Sequence, residues 1–254
     1  MSRQVLDGHR TLWREKPVLS LVYAPWFEAL LIAQRSNGRV LELGAGPGFL
    51  AEYARAMRPH IRWVASDLIA APWNDLAAEA GHLPFATQSL DGIVALDMLH
   101  HVSDARSLFL EAARTLRDGA ALLALEPWVT PLSYPIYRFL HQEGCRLSLD
   151  AWAPFPKGGN KEPFEGDAAV PWRLVRDTPG AVWQELGFSS PVVQPINAFA
   201  YLLTLGFRKR SLLPLAFAPA LIRVDRALQT FAPILGMRVA LRWTRKRSQR
   251  EVRA

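Results

Sequence analysis

Glu42-Leu43-Gly44-Ala45-Gly46-Pro47-Gly48 is the segment best equipped for chemistry. Glycines in such a run let a ligand lie against bare backbone, and a helix that follows offers free N–H groups. Counted from Gly44, glycine falls at positions one, three and five, and Phe49 stands at position six. A dinucleotide fingerprint needs glycine at positions one, three and six. The segment departs from that fingerprint, and a tight strand–helix turn without a ligand is the alternative reading. Asp67 lies 23 residues beyond Gly44, where a carboxylate can accept hydrogen bonds from two ribose hydroxyls or cap a helix. Glu79-Ala80 precedes Gly81-His82-Leu83-Pro84-Phe85, and Glu79 can accept from an adenine amino group or stand as a solvated loop acid. Leu96-Asp97-Met98-Leu99-His100-His101 supplies two adjacent imidazoles and a carboxylate. They are candidates for proton transfer, with Asp97 equally suited to capping the next turn. Two histidines also raise the question of a metal, but no third ligand lies close in sequence, so no metal site is expected.

The elements that must position these residues alternate. Strands are predicted at Arg39–Gly44, Ile61–Ser66, weakly at 75–80, and at Leu90–Leu96 and Ala120–Leu125. Helices are predicted at Phe49–Met57 and Ala105–Leu116, the latter stopped by Asp118-Gly119. Residues 10–35 read as helix, broken near Pro17 and again near Pro25. Short apolar strands between helices specify an α/β fold with a parallel sheet covered on both faces. The alternation ends at Glu126. Residues 127–176, rich in proline and aromatics, read as an insertion. A helix at Pro179–Leu186, a strand near Pro191–Ile196 and a final strand at Arg238–Arg245 follow.

The 254 residues are half apolar and carry a formal charge of +7, a globular composition that excludes disorder throughout. From Arg208 to the C-terminus there are 12 basic and 2 acidic residues, so the basicity sits in the last fifth. Cys145 is the single cysteine, which excludes an internal disulfide and suits a reducing compartment. Without a signal-like start or a run of about 20 apolar residues, a soluble, cytoplasmic protein is expected, with a peripheral membrane contact conceivable near the C-terminus.

Taken together, Val40–Gly48, Ser66-Asp67-Leu68, Leu83-Pro84-Phe85, Leu99–Val102 and Glu111–Gly119 resemble the class I S-adenosylmethionine-dependent methyltransferases, in the small-molecule "type 11" branch. The resemblance is close over roughly residues 37–126. It implies a seven-stranded, mostly parallel sheet with the last strand antiparallel and helices on both faces. A helical N-terminal cap (1–36) precedes the cofactor core (37–126). A substrate-covering insertion (127–176) comes next, then a helix and strand of the core (177–198). An apolar and basic helical insertion (199–236), the last strand (237–247) and a basic tail (248–254) complete the chain. By the same resemblance, Glu42 and Gly44, Ala45, Gly46 and Gly48 hold the methionine part of S-adenosylmethionine. Asp67 takes the ribose, Leu68, Glu79 and Ala80 line the adenine, and Leu96 passes beneath the sulfonium. The family's helix between Asp67 and Glu79 has no room here, so Ala71-Pro72-Trp73 must turn the chain directly.

The expected activity is methyl transfer to a small, lipophilic acceptor, on oxygen or carbon: a quinone- or phenol-like ring, a polyketide or polyene, or a lipid. Catalytic candidates are His101, His100 and Asp97, and substrate-contact candidates are Tyr137, His141 and Glu143. Aromatics of 127–176 fit either a lid or a small subdomain core. Basic and apolar residues of 199–236 suit an anionic membrane surface or a helical hairpin packed on the sheet. Nucleic acid is disfavoured, because Leu96-Asp97-Met98-Leu99 departs from the Pro-Pro-Tyr-type signatures of base N-methylation. An NAD-linked oxidoreductase is disfavoured by Phe49 and by the lack of a Tyr-x-x-x-Lys pair. A non-catalytic, cofactor-binding interaction protein is the remaining alternative.

Overall fold

The structure, a computed structural model, describes residues 2–34, 37–140, 143–154 and 165–247. Two helices, α1 (Ser2–Glu15) and α2 (Pro17–Ile32), lead into β1 (Arg39–Leu43), α3 (Phe49–Met57), β2 (Arg62–Asp67), β3 (Leu76–Ala77) and β4 (Leu90–Leu96). Next come α4 (Ala105–Thr115), β5 (Leu116–Pro127), α5 (Ser133–Phe139), α6 (Val170–Asp177), α7 (Gly180–Glu185) and β6 (Val192–Ile196). The chain continues through α8 (Phe199–Thr204), α9 (Ala218–Ala227), α10 (Ala232–Leu235) and β7 (Arg238–Thr244). Among the described residues, no helix is long and apolar enough to cross a membrane.

The strands form one seven-stranded sheet in the order β3-β2-β1-β4-β5-β7-β6. Strands β1 to β5 pair in parallel, and β7 runs antiparallel between β5 and β6. Val40, Leu41, Ile93, Val94 and Leu125 are buried because helices cover both faces of the central strands. Chain order reverses between β1 and β4. In open parallel sheets, ligands bind in the crevice that this reversal opens at the carboxyl ends.

On one face, α2 and α3 pack over Val40, Val94 and Leu125. Helices α8 and α9 join them there, so residues 199–227 do pack as a helical pair against the body. They still leave Leu212, Leu215 and Phe217 exposed. On the other face, Phe109, Trp183, Phe188 and Trp243 meet with ring centroids 5.0–5.9 Å apart, mostly edge to face.

Four local expectations are corrected. Helix α2 runs through Pro25 without a break. Proline removes one hydrogen bond and crowds the preceding turn. Here burial of Val22, Tyr23, Trp26, Phe27, Leu30 and Leu31 on both sides outweighs that cost. The first helix begins at Ser2 and stops at Lys16, with Pro17 at the first position of α2. The third strand is two residues long, since it pairs only with Ser66 and Asp67 at the sheet edge. Asp118-Gly119 does not separate helix from strand: β5 starts at Leu116, and an irregularity absorbs the extra residues before Ala121 meets Gly92.

Replacing Trp183 by Ala should cost about 3–5 kcal/mol, the range for emptying a large aromatic site in a core. Equilibrium denaturation of the two proteins measures it, and a loss below 1 kcal/mol would show that the aromatic cluster does not anchor the β7 side.

Candidate active site

The turn from β1 to α3 holds Gly44, Gly46 and Gly48 at φ of +66°, +52° and +80°. Side chains are excluded at two of these by close neighbours. A Cβ on Gly44 would fall 2.2 Å from Met98 Cγ, and one on Gly48 2.7 Å from Trp73 Cδ1. The turn is tied to β2 from below. Ala45 N–H donates to the Ser66 carbonyl at 2.8 Å and Gly46 N–H to Asp67 Oδ2 at 2.7 Å. The Trp73 indole donates to the Gly46 carbonyl at 2.7 Å. From above, α1 reaches over it, with Arg10 donating to the Pro47 carbonyl at 2.6 Å and stacking on Trp73.

Beside this turn lies a cavity of about 870 Å³. Glu42, Gly44, Ala45, Gly46, Asp67, Leu68, Glu79, Ala80 and Leu96 all line it, so the structure brings most of the expected cofactor residues together. Gly48 is placed differently: its backbone packs on Trp73 and caps α3. Asp67 is more engaged than expected. Each oxygen already accepts a backbone N–H, from Gly46 and from Ile69, which aims the carboxylate and leaves each oxygen a further lone pair. Glu42 is buried and accepts from the Trp63 indole at 2.7 Å. Burial pushes its carboxyl up to about 8, against the indole that favours the anion.

The far end of the cavity is aromatic, with Tyr23, Phe27, Tyr137, Tyr201 and Phe207 in its wall. Tyr137 donates its hydroxyl to the Met237 carbonyl, so it shapes the wall with its ring rather than offering a free phenol. Asp97 sits at φ +52°, a strained conformation for a residue with a Cβ, and pairs with the buried Arg238. The Arg238 guanidinium also lies over Trp26 and Tyr201. Burial raises the Asp97 carboxyl, while Arg238 pulls it back.

His100 spans two acids. Its Nδ1 is 2.5 Å from Glu126 Oε2 and its Nε2 is 3.1 Å from Glu143 Oε2. Burial works against charge on the ring, but Glu126 outweighs it and carries the pKa to about 10. Both ring nitrogens of His100 are thus engaged by acids, an arrangement that favours its protonated form. His101 is the opposite case, lowered to about 4 by burial and by the neighbouring His100 charge. It is neutral at pH 7, and its Nε2 lies 3.5 Å from Glu143 Oε1. Glu143 thus reaches both rings from the insertion. His141, with Phe155 and Phe164 of the same insertion, lies outside the described residues.

Two residues that shape the site were missed. Glu126 accepts from Met98 and Leu99 N–H at 3.0 and 2.8 Å as well as from His100. Its signal was a lone acid ending the apolar run Ala120–Leu125 at a strand's carboxyl edge. Arg238 opens β7 and is 3% exposed, but nothing local distinguishes it from the other basic residues of the C-terminal fifth.

Asp97→Asn should destabilise the protein by about 3 kcal/mol by leaving Arg238 buried without its counter-charge. Adding Arg238→Met should recover most of that loss in equilibrium denaturation. If the double variant is no more stable than Asp97→Asn alone, the pair does not act as a unit.

Residues 41–124 match the family model described as a methyltransferase domain. Among curated proteins, the chain is 27% identical over 110 residues to malonyl-[acyl-carrier protein] O-methyltransferase of Legionella pneumophila, covering 38% of this chain and 39% of that protein. It is 34% identical over 99 residues to an O-methyltransferase of Aspergillus nomiae, covering 33% of this chain and 44% of that protein. The matched stretch is thus about two fifths of the length of each relative. Among solved structures, an S-adenosylmethionine-dependent methyltransferase of Thermotoga maritima shares the fold, with a TM-score of 0.54 at 18% identity over 97% of this chain and 100% of that one. Residues 41–124 thus match a methyltransferase domain, and the chain as a whole has the fold of the S-adenosylmethionine-dependent methyltransferase structure it resembles.

Proposed function

We propose that the protein transfers a methyl group from S-adenosylmethionine to a small, largely apolar acceptor, on oxygen or carbon. The observation that carries this reading is one continuous cavity, polar beside the glycine turn and aromatic at its other end. A cavity of about 870 Å³ falls within the range of small-molecule sites, about 300–1,000 Å³, and its two chemically distinct ends would take the cofactor and the acceptor.

The residues at the polar end fit the cofactor. Left-handed glycines keep the approach clear of side chains, and Asp67 keeps lone pairs for ribose hydroxyls. Glu42 and the Gly44–Gly46 backbone would hold the methionine part, whose ammonium would favour the ionised acid. Leu68, Glu79 and Ala80 would line the adenine, with Leu96 beneath the sulfonium. When bound, the cofactor supplies a methyl group already activated on a positive sulfur. The chain's own work is then to align the acceptor and exclude water. Tyr23, Phe27, Tyr137 and Tyr201 would enclose an apolar body, and His101, neutral and facing the cavity, would meet its polar edge. The curated relatives that match are O-methyltransferases, which supports an oxygen acceptor. Leu212 and Phe217 are each 65% exposed beside Arg208, Lys209 and Arg210. That combination favours a lipophilic acceptor drawn from an anionic membrane surface.

The direct test supplies cofactor labelled in its methyl group and lipid-soluble phenols, hydroxy-lipids and fatty acids in phosphatidylglycerol vesicles. Label should enter one of these acceptors, and entry only into protein or nucleic acid would overturn the reading. A second test uses pH. Glu42 is protonated at neutral pH, so a cationic ligand must expel its proton. Cofactor affinity should therefore rise between pH 6 and 8, by at most about tenfold per unit, and level off above. Glu42→Gln should bind more weakly and lose the slope in calorimetry.

A further inference from the structure

We propose that His100, His101 and Glu143 form a binding site for a divalent transition-metal cation in the cavity wall. The absence of a third ligand near the two histidines in sequence is made good by the fold, which swings Glu143 out of the insertion onto both rings. One ligand atom from each of the three lies within 4.8 Å of the others. The two contacts are 3.1 Å, from His100 Nε2, and 3.5 Å, from His101 Nε2, one to each Glu143 oxygen. A tetrahedral zinc site with bonds of about 2.0–2.1 Å separates its ligand atoms by roughly 3.3–3.4 Å. The two contacts to Glu143 lie close to that separation, and the ligand atoms of the two rings are within 4.8 Å of each other.

Both rings are held by the edge a metal would not use. The Glu126 carboxylate takes Nδ1 of His100, and its own orientation is fixed by two backbone N–H groups. An acid behind a histidine in this way sets the tautomer that leaves Nε2 for a metal, as in many metalloprotein sites. The chain at Glu165–Gly166 presses on the other ring. A Cβ on Gly166 would lie 2.7 Å from His101 Nδ1 and 3.0 Å from His100 Cδ2, so only glycine lets the backbone close so tightly. Asp167 N–H then ties that segment to the His100 carbonyl at 3.2 Å.

Charge points the same way. With neutral imidazoles, Glu126 and Glu143 present two negative charges across His100, matched by one divalent cation in place of the proton they share. Two nitrogens and a carboxylate suit zinc, iron, cobalt or manganese better than calcium or magnesium. The overlapping group of Asp97, His100 and Glu126 is a poorer site, because Asp97 already pairs with Arg238 and Glu126 with backbone N–H groups. All three proposed ligands line the cavity, so further coordination positions face the space read above as the acceptor site. If that reading holds, the cation would grip an acceptor oxygen. The metal site itself does not depend on it.

The test is titration of chelator-treated, tag-free protein with Co²⁺, read by visible absorption and by metal analysis after gel filtration. One equivalent should bind with a d–d spectrum of low coordination number, displaced by Zn²⁺. His101→Ala and Glu143→Gln should each lose at least tenfold in affinity, and Glu126→Gln about 10–100-fold. S-adenosylhomocysteine binding in the Glu143→Gln protein checks that its cofactor end is still formed. No stoichiometric uptake, or the same uptake by wild type and Glu143→Gln, would overturn the site. Cobalt binding without nucleoside binding would instead overturn the methyl-transfer reading and leave the metal site standing.

Discussion

The hydrogen bond from the Gly46 N–H to Asp67 is the constraint on which the site depends. It holds the turn after β1 level with the end of β2, and so fixes bare backbone and a carboxylate on the same wall of the crevice. The turn can adopt that shape only because three of its residues tolerate positive φ. Everything around it closes the same space. Arg10 anchors α1 across the turn, and the Lys16 ammonium shares its three N–H groups among the carbonyls of Thr204, Gly206, Arg208 and Arg210 at 2.6–3.0 Å. One lysine thus joins the N-terminal helices to the loop that carries Phe207 into the cavity wall.

Burial gives otherwise similar acids different roles. Glu42 has one indole partner and is raised to about 8, poised to ionise when a cation arrives. Glu126 is equally buried, but two N–H groups and His100 lower it, so it stays charged. Asp97 lies between these cases, raised by burial and restrained by Arg238. Of these three acids, Glu126 has the most partners and is the one lowered, which is what desolvation demands. Asp97 and Glu126 sit at the carboxyl ends of β4 and β5, beside the aromatic half of the cavity.

Much of this was legible in local sequence because its causes are local. Glycine spacing marked the β1–α3 turn, and unbroken apolar runs marked β4 and β5. Asp67 followed from its place at the end of β2. What escaped was set by distant partners. Glu126 and Glu143 meet at His100 only once the insertion folds back, and Arg238 finds Asp97 from the other end of the chain. Gly48 looked like part of the ligand loop, yet Trp73 is its neighbour. Pro25 looked like a break, yet packing on either side carries α2 through it.

Calorimetric titration with S-adenosylhomocysteine tests the central claim most directly. One saturable site per chain, abolished by Gly44→Ala, is the predicted result. No saturable heat with the wild-type protein, or unchanged binding by Gly44→Ala, would contradict it.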